Sequence, residues 1–120
     1  MSLDYYIKLK YQNDHLKYSV EEIITNYDEM ICLAENKKEI YKNNKNNRSE
    51  IITIDNDLNY FFNMKNKYLS HLEEIKREKE NIIKNIYELC DHDFIEDTID
   101  IDPDRCKYIT YCKICGLIQK

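Results

Sequence analysis

The stretch DLNYFFNMKNKYLSHLEEIKREKENIIKNIYELC, residues 57 to 90, decides the architecture. Leu58, Phe61, Tyr68, Leu72, Ile75, Ile82, Ile86 and Leu89 fall on the a and d positions of successive heptads, the stripe of a helix that packs on another helix. Lys65 and Lys79 share the stripe. They weaken it while helping to fix register or partner choice. Asp57 reads as the N-cap, and at about 1.5 Å per residue the helix would reach roughly 50 Å. A rod of that length needs a partner, and two are open: an upstream helix folded back antiparallel, or the same second helix of another copy in a homodimer.

Upstream, Tyr5-Tyr-Ile-Lys-Leu-Lys-Tyr11 alternates, with Tyr5, Ile7, Leu9 and Tyr11 on one face, and predicts a short strand. From Ser19 the spacing changes to fours and threes through Val20, Ile24, Tyr27, Ile31, Ala34 and Tyr41, interrupted by Lys38. This is an amphipathic helix, with Ser19 and Glu22 as a capping box. Lys42 to Asn47 reads as a polar linker. Ser49 to Asp55, with Ile51, Ile52 and Ile54, is short and β-branched and suits a strand paired with residues 5–11. The expected organisation is therefore residues 1–56 as strand, first helix and linker, 57–90 as the long helix, and 90–120 as a separate C-terminal module. Val20 to Tyr41 spans fewer turns than Leu58 to Leu89, so some apolar surface on the second helix should be left for a partner.

The C-terminal module carries the chemistry. Cys112 and Cys115 have the two-residue spacing that lets a tight turn present both sulfurs to one ion, and Gly116 supplies the positive φ such turns adopt. Cys90 and His92 form the other half-site where the long helix stops. Two strand-like segments, Asp93 to Asp102 and Cys106 to Tyr111, are separated by the turn pair Pro103-Asp104, so a β-hairpin would return Cys112 toward His92. One structural zinc ion on Cys90, His92, Cys112 and Cys115 is the expectation, with four protein ligands and no open position for catalysis. A redox pair or two buried thiols is the plainer reading of Cys112 and Cys115 alone. Cys106 is the rival fourth ligand but sits at the turn end of the hairpin, and Cys32, beside the first helix's stripe, reads as an ordinary packed thiol. Loss of zinc should disorder residues 90–120 and leave the helical pair largely intact.

Composition narrows the function classes. The chain has 120 residues, 34% of them charged, and a formal net charge of -5, so nothing global recruits nucleic acid or an anionic membrane. Apolar runs of a few residues fall far short of the roughly 20 that cross a bilayer, and the N-terminus lacks a basic n-region and an apolar h-region. Five cysteines, clustered as a metal site, point to a reducing compartment. Ile, Asn, Lys and Tyr abound while Ala34, Pro103 and Gly116 are each the only residue of their type, a bias that suggests an A/T-rich genome. Between Asp91 and Asp104 there are seven acids and no Lys or Arg, a surface that repels phosphate.

The segment CDHDFIEDTIDIDPDRCKYITYCKIC, residues 90 to 115, resembles a module of small proteins from giant nucleocytoplasmic DNA viruses, mimivirus-like and phycodnavirus-like ones especially. Cys-x-His, Asp-x-Ile-Asp-x-x-Pro-Asp and Ile-x-Tyr-Cys-x-x-Cys carry the resemblance over about a quarter of the chain. The resemblance implies zinc at Cys90, His92, Cys112 and Cys115, in agreement with the spacing. That family often has Ser where this chain has Cys106, which argues against Cys106 as a ligand, and an acid where it has Gly116. Most of its members have no assigned activity, so the resemblance implies a viral setting, the host cytoplasm or the virion, rather than a reaction.

His15 and His71 are isolated, a single Gly excludes a phosphate loop, and no nucleophile has a base nearby in sequence, so the chain reads as non-enzymatic. His71 and Glu74 share a helix face, ordinarily a solvated contact. Two classes remain: a zinc-stabilised interaction or structural protein whose partner is a viral or host protein, and a nucleic-acid-associated regulator of zinc-ribbon type. The acidic hairpin favours the first.

Overall fold

Side chains that can be buried recur every seven residues along two stretches of the chain, and both stretches are helical. A computed structural model describes residues 2–43 and 47–119, with helices α1 (Leu3–Lys42) and α2 (Arg48–Leu89) followed by strands β1 (Phe94–Asp102) and β2 (Arg105–Cys112). The fold is mostly helical with a small β part, as expected.

The strand expected at residues 5–11 is instead the start of α1. Alternation there competes with a helical period that begins at Leu3, and the helical period wins. Leu3, Tyr6 and Ile7 turn inward together at i, i+3 and i+4, while Tyr5 and Tyr11 are 45% and 62% exposed. Ser2 Oγ accepts the Tyr5 amide at 3.3 Å and caps this end. Ser19 is therefore not a cap. Its hydroxyl donates to the His15 carbonyl at 3.1 Å, one turn back inside the helix.

Residues 49–55 are helical too, and Asp57 lies inside α2 rather than at its start. Ile54 is buried with Leu58 and Ile31, and that burial outweighs the weak helix propensity of β-branched side chains. The boundary expected at residue 57 moves to Arg48. Of the expected linker, Lys42 closes α1 and Asn43 is a turn, while Asn44, Lys45 and Asn46 lie outside the described residues.

The chain divides into two units, Asn13–Glu78 and Met1–Gln12 with Lys79–Lys120. In the first, α1 and α2 pair antiparallel around Ile31, Ile54 and Leu58, with Ala34, Tyr41 and Phe61 against them. Tyr27 stacks on Tyr68 at 6.0 Å. Two of the lysines that interrupt the stripes pair across the helices, Lys38 with Asp55 at 2.6 Å and Lys65 with Asp28 at 2.5 Å. The acid that meets Lys65 thus comes from the same chain. Cys32, expected to be packed, is exposed. Nor is the first helix short: α1 has 40 residues and α2 has 42, so the expected surplus of stripe on α2 does not arise from a difference in length.

In the second unit, Ile82, Ile86 and Leu117 form a core with Leu3, Tyr6, Ile7 and Leu9 of α1 packed on it. The strands lie within a residue or two of those expected, antiparallel from Phe94↔Cys112 to Asp102↔Arg105, with a register shift between Asp100 and Asp102. Asp102 Oδ1 accepts the Asp104 amide at 3.0 Å and shapes the Pro103-Asp104 turn. No helix among the described residues is long and apolar enough to cross a membrane.

Asn13, 6% exposed, is the one buried polar residue among those described. Its Nδ2 donates to the Ile75 carbonyl at 3.3 Å, but its Oδ1 meets no donor. A buried acceptor without a donor costs stability, so Asn13→Leu should raise it by about 1 kcal/mol. Thermal denaturation followed by circular dichroism checks this; a lower midpoint would mean that the Nδ2 bond outweighs the orphaned oxygen.

Candidate metal centre

The end of α2 sets the first half of the site. The Cys90 amide still bonds the Ile86 carbonyl at 3.0 Å, so Cys90 keeps a helical position and is buried at 7% exposure. His92 then adopts φ of 40°, a left-handed conformation uncommon for a residue with a Cβ. This reversal lets two ligands only two positions apart face one point. Sequence reading did not anticipate it.

The end of β2 sets the second half. The Gly116 amide bonds the Cys112 carbonyl at 2.8 Å, and Gly116 has φ of 78°, the positive value expected of it. The Cys112 amide bonds the Leu117 carbonyl and the Lys113 amide bonds the Asp93 carbonyl, each at 2.8 Å. The turn is thereby tied to both the hairpin and the chain beyond it.

The four expected ligands converge. Cys90 Sγ, Cys112 Sγ, Cys115 Sγ and a His92 ring nitrogen all lie within 4.8 Å of one another, close enough to bind one metal ion. Cys90 and Cys112 sulfurs are 3.6 Å apart, and Cys115 Sγ is 3.8 Å from His92 Nδ1. A tetrahedral ion with bonds of about 2.3 Å to sulfur and about 2.0 Å to nitrogen gives edges of about 3.8 and about 3.5 Å, so the separations fit. The cysteines are free thiols.

The surroundings orient the ring and the sulfurs toward one another. His92 Nε2 donates to the Tyr87 carbonyl at 2.9 Å, and because a carbonyl only accepts, the ring's lone pair is left on Nδ1, facing Cys115. The ring is held between Tyr87, at 4.5 Å, and Phe94, stacked at 5.0 Å. Amides point at the sulfurs: Asp93 and Cys115 to Cys112 at 3.3 and 3.5 Å, and His92 to Cys90 at 3.4 Å. Burial pushes the Cys112 thiol up, but the Cys115 and Asp93 amides and the His92 ring outweigh it and bring it down to about 5. Burial, with the sulfurs of Cys112 and Cys90 beside it, raises Cys115 to about 11. Contact with Cys112 raises His92, against the effect of its burial. The amides and the ring thus favour the thiolate at Cys112, and ionising a second sulfur beside it calls for a cation.

Cys106 pairs with Asp100 near the hairpin turn and is exposed, so it has no place in the cluster. His71 meets Glu74 at 3.8 Å on an exposed face, and no third ligand joins them among the described residues. What the motif did not reveal is the support: the Tyr87 carbonyl, the Phe94 ring and Leu117, which follows the last ligand by two residues and enters the core with Ile82 and Ile86. Comparison of the chain with protein-family models, with curated proteins and with solved structures finds no match.

Because Cys115 and Leu117 share a core with Leu3, Tyr6, Ile7 and Leu9, the first turns of α1 belong to the same cooperative unit as the metal site. Chelation should therefore speed amide exchange across residues 3–12 as well as 79–119, and leave residues 16–74 protected. Loss confined to residues 90–119, as the sequence suggested, would show that the α1 start folds without the metal.

Proposed function

We propose that the chain is a non-enzymatic, zinc-stabilised interaction or structural protein, in which the ion fastens the C-terminal hairpin to the helix ends and the helices bind another protein. The observation that supports it most is the ligand set itself. Three sulfurs and one imidazole surround one point, and with four protein ligands a tetrahedral ion keeps no open position for substrate or water. Zinc suits that donor set, being borderline soft and indifferent to redox state. The thiols call for a reducing compartment. The motif resemblance and the A/T-rich bias support an origin in a giant DNA virus, with the protein in the host cytoplasm or the particle. The acids between Asp91 and Asp104 weigh against the regulator of zinc-ribbon type, since phosphate contacts need Lys or Arg.

Protein purified without added metal should carry about one zinc per chain by elemental analysis. Cys112→Ser should lose it, whereas Cys106→Ser and Cys32→Ser keep it. Affinity purification of the tagged chain from infected cells should then recover a protein partner through nuclease treatment. Release of everything bound by nuclease alone would replace this function with the nucleic-acid one.

A further inference from the structure

The fold does not hold the three sulfurs of the metal centre equally firmly. Cys90 is buried, and its amide bonds the carbonyl of fully buried Ile86, so its backbone belongs to the helix. Cys112 is fully buried, with the Asp93 and Cys115 amides at 3.3 and 3.5 Å from its sulfur. Beyond it the chain comes to the surface: Lys113, Ile114 and Gly116 are exposed and Cys115 is half-buried. Cys115 is therefore the most open of the three. Its sulfur lies within 4.8 Å of that of Cys112, and a shift of the exposed residues between them brings the pair to the S–S bond length of about 2 Å. The sulfurs of Cys90 and Cys112 are 3.6 Å apart, but both are buried, and closing that gap would move the helix end.

We propose that Cys112 and Cys115 are a peroxide-reactive pair whose oxidation to a disulfide releases the ion and unfastens the hairpin from the end of α2. The inference rests on the proposed zinc site and names its regulation. A metal-bound cysteine is a thiolate, the form that peroxide oxidises. The Cys115 thiolate attacks one oxygen of hydrogen peroxide, the O–O bond breaks, and a sulfenic acid forms as hydroxide leaves. The Cys112 thiolate attacks that sulfur, the S–S bond forms, and a second hydroxide leaves. Two electrons pass from the sulfurs to the peroxide, so two thiolates and one hydrogen peroxide give one disulfide and two hydroxide ions. Cys90 and His92 are left, two ligands where a tetrahedral ion needs four. The new bond lies wholly on the β2 side of the site. Nothing covalent or metallic then ties β2 to the helix end.

The test uses the zinc-loaded full chain carrying Cys32→Ser and Cys106→Ser, which removes the two exposed thiols outside the cluster. Hydrogen peroxide should release about one zinc per chain to a metal-sensitive dye. Trypsin then reads the pairing, because Lys113 lies between the two cysteines and sets Cys90, Cys112 and Cys115 in the separate peptides 85–105, 108–113 and 114–120. Peptides 108–113 and 114–120 should be found linked, lighter by two hydrogens than their sum. Amide exchange in β1 and β2 should rise on oxidation and fall again after dithiothreitol and zinc are added. Zinc retained under peroxide, a link between 85–105 and 108–113, or sulfinic acid without a disulfide overturns the inference. A chain that carries no zinc as purified removes the proposed function and this inference together, whereas bound zinc that peroxide does not release fails here alone.

Discussion

Three cysteine sulfurs and an imidazole within 4.8 Å are expensive to hold together without a cation. Each sulfur is a far better ligand as a thiolate, and thiolates at that distance repel one another strongly in a partly buried site. The protein goes part of the way by aiming three amide contacts at two of the sulfurs and settling one negative charge on Cys112. A divalent ion would supply the rest. In exchange it would draw together a helix end, a reversed turn at His92 and the end of a hairpin, none of which has enough apolar surface to be stable alone.

The connection between that centre and the helices is made by few residues. Leu117, two positions after the last ligand, is buried with Ile82 and Ile86 of α2, and Leu3, Tyr6, Ile7 and Leu9 of α1 close over them. Ile86 is fully buried, and its carbonyl receives the Cys90 amide, so one residue belongs to both the helix core and the metal site. The Asn13–Glu78 unit depends on different forces: apolar packing around Ile31, Ile54 and Leu58, aromatic contacts of Tyr27, and lysines that meet acids across the helices.

The Cys/His cluster was legible because metal chemistry restricts both residue type and spacing, and the hairpin because Pro103-Asp104 stands between two β-rich runs. The stripe of α2 was legible from its heptads. What was hidden lies at the ends. Tyr5, Ile7, Leu9 and Tyr11 alternate by coincidence, while Tyr6, Asn13 and Val20 continue the sevens of Tyr27, Ala34 and Tyr41 toward the N-terminus. An asparagine at the second of these positions disguised the repeat. Ile51, Ile54 and Leu58 likewise extend the stripe of α2, but β-branching suggested a strand, and helix propensity is too weak to decide against burial. The Ser19–Glu22 pattern also occurs inside helices, where the hydroxyl turns back on its own carbonyls, as Ser19 does on His15. The left-handed turn at His92 has no signal in residue type at all.

X-ray absorption at the zinc edge of the protein as purified is the most direct test that Cys90, His92, Cys112 and Cys115 enclose one ion. Three sulfur neighbours at about 2.3 Å and one nitrogen at about 2.0 Å, with imidazole scattering that disappears in His92→Ala, are the expected result. Four sulfurs, an oxygen neighbour from water, or protein that folds with no metal bound would contradict it.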